Sequence, residues 1–108
     1  MARIVWSEPA LDDLDKIAEY IALDNLEAAK RLVQTVFAKV DRLKDFPSSG
    51  RKVPELRNSR YREVIVGPCR IFCRAAGSSV LVLHVMRSER ELRNMLILER
   101  DREDTTCS

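Results

Sequence analysis

The chain has 108 residues, of which 45% are apolar and 33% are charged, and its formal net charge is +2. This length is typical of a single domain, and the apolar fraction is enough for one modest core. No apolar run approaches the roughly 20 residues of a membrane span. The N-terminus lacks the basic and apolar stretches of a signal peptide, so we expect a protein of the reducing cytosol that has no contact with a membrane.

The first half of the chain predicts a strand followed by two amphipathic helices. Residues 3–6 have the pattern of a short strand, and Ser7 is placed to cap a helix of about 8–23. Its apolar side chains recur at helical spacing: Leu11, Leu14, Ile17, Ala18 and Ile21. Asn25 can cap a second amphipathic helix of about 25–45. The short connector predicts that the two helices form an antiparallel pair.

The second half predicts an antiparallel meander. A turn-rich hinge, residues 46–57, separates the helical half from segments in which the hydrophobic period changes to two. Three strands are predicted at 60–66, 69–75 and 80–86. Their short connections favour antiparallel pairing. A last helix is predicted from Ser88 to about Arg100.

The predicted fold class is α+β, with the order β-α-α-β-β-β-α and a helical hairpin packed on one face of a small antiparallel sheet. We expect residues 1–100 to form one domain and residues 101–108 to be a flexible tail. In the middle strand, one set of alternate residues suits a core under the helices: Cys69, Ile71 and Cys73. The other set suits an open basic face that contains one aromatic ring: Arg70, Phe72 and Arg74.

Positive charge is concentrated after the hinge. Lys and Arg number 11 against 5 Asp and Glu in residues 51–100, but 7 against 9 in residues 1–50. Nearly all of these cations are arginines, whose planar guanidinium suits phosphates and carboxylates. The cluster predicts a surface that binds an acidic partner, and the alternative is an ordinary solvated face. The candidate partner-binding residues are Arg57, Arg60, Arg62, Arg70, Arg74 and Arg87.

His84 is the only histidine and allows an enzymatic alternative. Metal-free RNA cleavage needs a proton acceptor, a proton donor and cations around the phosphate. The candidate catalytic set is His84, Glu63 and Arg87, with Glu55 and Tyr61 nearby. The alternative is a structural histidine packed at the sheet edge, which we favour because a lone histidine is not a motif.

The sequence predicts no metal, cofactor or disulfide. Cys69 and Cys73 lie four residues apart on one strand, which places their Cα atoms about 13 Å apart, and a disulfide needs less than about 7 Å. One histidine and three scattered cysteines make a poor metal-ligand set.

An apolar stripe in the last predicted helix has two readings. The stripe consists of Leu92, Met95 and Leu96. It closes the core, or it helps to form a groove for the amphipathic helix of a partner.

Three groups of motifs together resemble the ParE branch of the RelE/ParE superfamily of bacterial toxins over residues 3–98. The motifs are WSEPALDDL at 6–14 with IAEYI at 17–21, FPSSGR at 46–51 with VPEL at 53–56, and YREVIV at 61–66 with RIF at 70–72. This resemblance implies a toxin of a type II toxin–antitoxin system that is not an enzyme, stalls DNA gyrase and arrests growth. It also implies a ParD-like antitoxin that neutralises the toxin in a hetero-oligomer and alone contacts operator DNA.

The sister RelE branch cuts messenger RNA on the ribosome, and this chain departs from its pattern. No tyrosine follows the last predicted strand, and Arg87 stands where many superfamily members have a histidine. Cys69 and Cys73 stand at positions that tyrosine often occupies. The resemblance therefore favours a gyrase inhibitor, with a RelE-like nuclease and a non-toxic basic binding module as the alternatives.

Overall fold

The computed structural model describes residues 2–47, 49–56, 59–88, 97, 100 and 101. Among these residues, two helices and five strands follow one another: β1 (Arg3–Trp6), α1 (Glu8–Ala22), α2 (Leu26–Asp41), β2 (Arg51–Lys52), β3 (Tyr61–Val66), β4 (Cys69–Ala76) and β5 (Ser79–Arg87). Short 3₁₀ turns span Arg42–Lys44 and Pro54–Leu56. The α+β class and the two predicted helices are confirmed, and β2 is an additional two-residue strand within the hinge.

Both helices begin at the predicted caps. The Ser7 side chain accepts a hydrogen bond from the amide of Ala10 at 3.2 Å, and Asn25 accepts one from Ala28 at 3.0 Å. Each cap satisfies an amide that the first helical turn leaves without an intrahelical partner. The second helix is shorter than predicted, because α2 ends at Asp41 and the chain tightens into a 3₁₀ turn before the hinge.

The strands form one mixed sheet in the order β1-β5-β4-β3-β2. The three strands β3, β4 and β5 form the predicted antiparallel meander. Its turns place Gly67 and Gly77 at φ angles of 53° and 58°, a region that favours glycine. The first strand, β1, runs parallel to β5 and completes the other edge.

Both faces of the sheet are buried. The helices cover one face, where the main core includes Leu14, Val36, Ile71 and Val82. A second core on the opposite face contains Val53, Tyr61, Phe72, Leu83 and Ile97. The prediction of an open basic face is therefore wrong: Phe72 has an exposed fraction of 0%, Arg70 of 6% and Arg74 of 7%.

The predicted last helix lies largely outside the described residues. Ile97, Arg100 and Asp101 have helical backbone, whereas the predicted stripe of Leu92, Met95 and Leu96 is not described. The sequence predicts a flexible tail of residues 101–108. This prediction is wrong for Asp101, because its side chain is buried. Residues 102–108 lie outside the described part of the chain.

The structure also bears on membrane insertion, metal binding and the cysteines. Within the described ranges, no helix is both long and apolar enough to cross a bilayer. The same residues contain no group of three or more potential metal-ligating side chains. Cys69 and Cys73 are buried and are not joined to each other. Burial raises the pKa of Cys73 to about 12, so its thiol is protonated at neutral pH.

Candidate functional site

Glu63, a candidate nuclease residue, lies at the centre of an ionic network on the second face of the sheet. Its side chain is fully buried and accepts hydrogen bonds from Arg51 and Arg70, each at 2.7 Å. Arg70 also donates to both carboxylate oxygens of Glu55, at 2.7 and 2.8 Å, and lies over the ring of Phe72 at 4.9 Å. The hydrogen bonds that Arg70 donates to Glu55 and Glu63 raise the pKa of Arg70, although burial opposes this shift. Arg70 is therefore neutralised by two carboxylates of the chain itself.

Arg74 is neutralised in the same way by Asp101. Its guanidinium donates to both Asp101 oxygens, with the shortest distance 2.7 Å, and both side chains are buried. The Tyr61 hydroxyl donates to Asp101 at 2.6 Å, and burial and the nearby carboxylate raise the pKa of Tyr61. Burial alone would raise the pKa of Asp101, but the bonds from Arg74 and Tyr61 outweigh it and lower that pKa. This network fastens the C-terminal part of the domain to β3 and β4.

His84, the other candidate nuclease residue, belongs to a third network. Its Nδ1 atom lies 2.8 Å from Asp13 of α1 and contacts Arg100. Asp13 also accepts the amide of Val85 at 3.1 Å, at the sheet edge beyond the end of β1. Burial would raise the pKa of Asp13, but the bonds from His84, Arg100 and Val85 lower it. The His84 ring stacks on the ring of Phe72, with centroids 5.7 Å apart. The pairing of β4 with β5 shifts in register directly after Phe72, as at a β-bulge.

Acid is expected to destabilise the protein through Asp13 and Asp101. A carboxyl group whose pKa is lower in the folded than in the unfolded chain stabilises the fold above the unfolded value, about 4, and loses this effect as pH falls towards the folded value. Because both pKa values are lowered, the urea midpoint should fall as the pH drops below about 4. Urea titrations from pH 7 to pH 2 measure this. In an Asp13→Asn/Asp101→Asn variant, the midpoint should depend less on pH, and an unchanged slope would contradict the assignment.

The remaining predicted partner-binding arginines do not form one patch. Arg57 lies outside the described residues. Arg60 is exposed and approaches Asp101 only to 3.8 Å, and Arg62 is half-buried on β3. Arg87, at the end of β5, lies over the ring of Tyr20 at 5.4 Å. The register places Arg87 opposite the first residue of β4, whereas Arg62 lies opposite the fifth.

A groove lined by residues of both helices and by Arg100 contains apolar and charged side chains, and we call it the hairpin groove. It has a volume of about 720 Å³, and the residues that line it include Leu11, Leu14, Asp12, Asp15, Val33 and Phe37. Leu11 and Phe37 are 41% and 40% exposed. The ring of Phe37 also contacts Trp6, with centroids 4.9 Å apart. Exposed apolar side chains with an acidic rim are typical of a surface that binds protein.

A second surface, of which the predicted partner-binding set contains only Arg62, lies where the end of α2 meets β2 and β3. We call it the cationic corner, and it consists of Lys39, Arg42, Arg51, Lys52 and Arg62. The candidate set begins at Arg57 and so leaves out Lys39, near the end of α2, and Arg42, in the 3₁₀ turn that follows α2. Their spacing of three residues, which puts both on neighbouring positions of one helix surface, was the available signal.

The family comparison agrees with the motifs. The family profile described as "ParE toxin of type II toxin-antitoxin system, parDE" matches residues 4–92. This match confirms the resemblance that the three motif groups indicated. It also covers both helices and the strands β2 to β5, together with all of β1 except Arg3.

Individual relatives and a solved structure are similar to the same region. The chain is 45% identical over 49 residues to Y4kP of Sinorhizobium fredii (strain NBRC 101917 / NGR234), covering 45% of this chain and about half of that protein, 51%. It is 35% identical over 68 residues to the toxin RelE2 of Caulobacter vibrioides, and the aligned region covers 63% of this chain and 73% of RelE2. A structure of the chromosomal ParDE TA system from P. aeruginosa is 26% identical with a TM-score of 0.67, covering 81% of this chain and 96% of that chain.

Proposed function

Because the chain belongs to the ParE toxin family of type II toxin–antitoxin systems, we propose that it inhibits DNA gyrase and thereby blocks replication. The match of the family profile over residues 4–92 is the observation that carries this proposal. The similarity to a chromosomal ParDE system supports a ParD-like antitoxin as the neutralising partner. Since gyrase acts on chromosomal DNA, this proposal places the protein in the cytoplasm.

We propose that inhibition works by binding, without bond-breaking by the toxin itself. A general acid or base must come within hydrogen-bond reach of the proton that it transfers. Glu63 is 1% exposed and held by two guanidinium groups, and His84 is buried against Asp13 and Arg100. Neither side chain is placed to reach a substrate, which disfavours the catalytic set suggested by the sequence.

The hairpin groove is the proposed site for the antitoxin. An amphipathic helix can lay its apolar face on Leu11, Val33 and Phe37. The carboxylates of Asp12 and Asp15 at the rim favour lysine or arginine on the polar face of that helix. None of the residues that line the groove belongs to the cationic corner, so an occupant confined to the groove would leave that corner uncovered.

Purified protein is expected to inhibit the supercoiling of relaxed plasmid by DNA gyrase and to cause accumulation of cleaved DNA. The assay titrates the toxin against a fixed amount of gyrase, with and without a ParD-like antitoxin. Prior addition of the antitoxin should restore supercoiling at equimolar ratio. Normal supercoiling at a several-fold excess of folded toxin would rule the proposal out.

The similarity to RelE2 of Caulobacter vibrioides makes a RelE-like, ribosome-dependent nuclease the second candidate. Primer extension on messages from cells expressing the toxin separates the two candidates. Discrete cuts in phase with codons would favour the nuclease. Uncut messages together with an induced DNA-damage response are the result expected for gyrase inhibition.

A further inference from the structure

Four of the five cations of the cationic corner have no carboxylate partner among the described residues, whereas the fifth, Arg51, pairs with Glu63 at 2.7 Å. In the described part of the chain, no ion pair joins Lys39, Arg42, Lys52 or Arg62 to a carboxylate, although Arg70, Arg74 and Arg100 are all paired. Asp41 is next to Arg42 in sequence, but it pairs with Lys44 at 2.8 Å and lines a different groove, beside Trp6. The corner is therefore a positive surface in a molecule that pairs many of its other cations internally.

Contacts between three elements bring these cations together. Lys39, Arg42 and Arg51 line one groove of about 290 Å³, whose wall includes the backbone of Gly50. A Cβ atom at Gly50 would lie 3.0 Å from the Cβ of Arg62, so Arg62 is immediately beside the groove. Lys52 is the register partner of Arg62 in the β2–β3 ladder and shares its face of the sheet.

One further exposed cation, Arg31, lies on α2. Arg31 is exposed and precedes Arg42 by eleven residues, which is about three helical turns, so the two side chains lie on one side of the helix, about 16 Å apart along its axis. Cations at a helix C-terminus stabilise the helix by only about 0.3–1 kcal/mol. Stabilisation of the helix end can account for Lys39 and Arg42, but it does not account for the positive charge of Lys52 and Arg62, which lie on strands.

We infer that the cationic corner binds the phosphodiester backbone of duplex DNA. Double-stranded DNA carries one charge per roughly 1.7 Å of its axis, and it is bound by cations spread over a surface. A protein interface instead has an apolar core with a polar rim, which describes the hairpin groove. The inference does not depend on gyrase being the target, although a toxin that holds DNA would be suited to a gyrase–DNA complex.

The test is direct binding of the full chain to a fluorescein-labelled 30-base-pair duplex, followed by anisotropy between 50 and 200 mM salt. The expected dissociation constant at about 150 mM salt is in the range of roughly 10⁻⁴ to 10⁻⁶ M, as for sequence-independent binding. A Lys39→Glu/Arg42→Glu variant should bind at least about tenfold more weakly, and its salt slope should be smaller by about 2. Circular dichroism checks that each variant is folded.

The matched control is Lys16→Glu/Lys30→Glu, which changes the net charge equally but at two lysines outside the cationic corner, each in an exposed ion pair. Its affinity for the duplex should stay within about twofold of that of the unmodified protein. An equal loss in both variants would overturn the inference, because it would show that net charge alone governs binding. Absence of salt-dependent binding by the unmodified protein would also overturn it.

Two further measurements separate DNA from other occupants. The first is competition by polyglutamate. If polyglutamate displaces the labelled duplex as effectively as unlabelled DNA of the same total charge, the corner binds an acidic protein.

The second measurement tests Phe46, which is 66% exposed and whose backbone amide donates a hydrogen bond to the carbonyl of Arg42. If Phe46→Ala weakened binding as much as the double charge reversal, stacking on unpaired bases would replace backbone binding. Normal gyrase activity with intact DNA binding would reject the proposed function and leave this inference standing.

Discussion

Replacing Asp101 with asparagine is expected to lower the free energy of unfolding by about 3–5 kcal/mol, the effect of breaking a buried ion pair on one side. Asp101 holds the buried guanidinium of Arg74 through three hydrogen bonds and accepts a fourth from Tyr61. Asparagine has nearly the same shape, so packing is preserved. The cost arises because a buried positive charge loses its counterion. Urea unfolding at pH 7 measures the difference.

The control is Arg60→Gln, which removes a neighbour of the same carboxylate. Arg60 is 69% exposed in its side chain and lies 3.8 Å from Asp101, so its removal should change the free energy of unfolding by less than about 1 kcal/mol. A double variant, Arg74→Met/Asp101→Leu, should recover most of the stability that Asp101→Asn loses, because it removes both buried charges together. A loss below about 1 kcal/mol for Asp101→Asn would show that this pair does not hold the C-terminal segment.

Much of the fold could be predicted because its determinants are local. Helical spacing in α1 and α2, the caps Ser7 and Asn25, and glycine in the two hairpin turns each lie within a few residues of the element that they define. The parallel pairing of β1 with β5 joins Arg3 to Ser79 across most of the chain, and no local pattern encodes it. The strand β2 has only two residues, too few for a period of two to be detected.

The ionic networks could not be predicted for the same reason. Arg70 is 7 residues from Glu63 and 15 from Glu55, Arg74 is 27 residues from Asp101, and Asp13 lies 71 residues before His84. Alternation in β4 correctly separated its two faces but could not show that a second core covers the arginine side. One signal was present: Phe72 lies between the two arginines, and a large aromatic ring on that face favours a covered surface.

A Glu63→Gln variant is expected to lower the free energy of unfolding by about 2–4 kcal/mol. We expect less than for Asp101→Asn, because Arg70 keeps its hydrogen bonds to Glu55. Glu63 has no exposed side-chain area and joins Arg51 to Arg70. The control Arg51→Gln removes only the outer partner, whose side chain is 61% exposed, and should lose less than about 1 kcal/mol. Thermal and urea unfolding of the three proteins provide the comparison.

The same variant separates a structural carboxylate from a catalytic one. Loss of a general base lowers a rate by about 10²–10⁴-fold in molecules that remain folded. A structural carboxylate affects only the folded fraction, so inhibition of gyrase by Glu63→Gln, measured at a low temperature where the variant is folded, should stay within about twofold of normal. A stable variant without toxicity would instead place Glu63 in a catalytic centre. Because Glu63 is enclosed by two guanidinium groups, the expected loss is of stability, with activity per folded molecule retained.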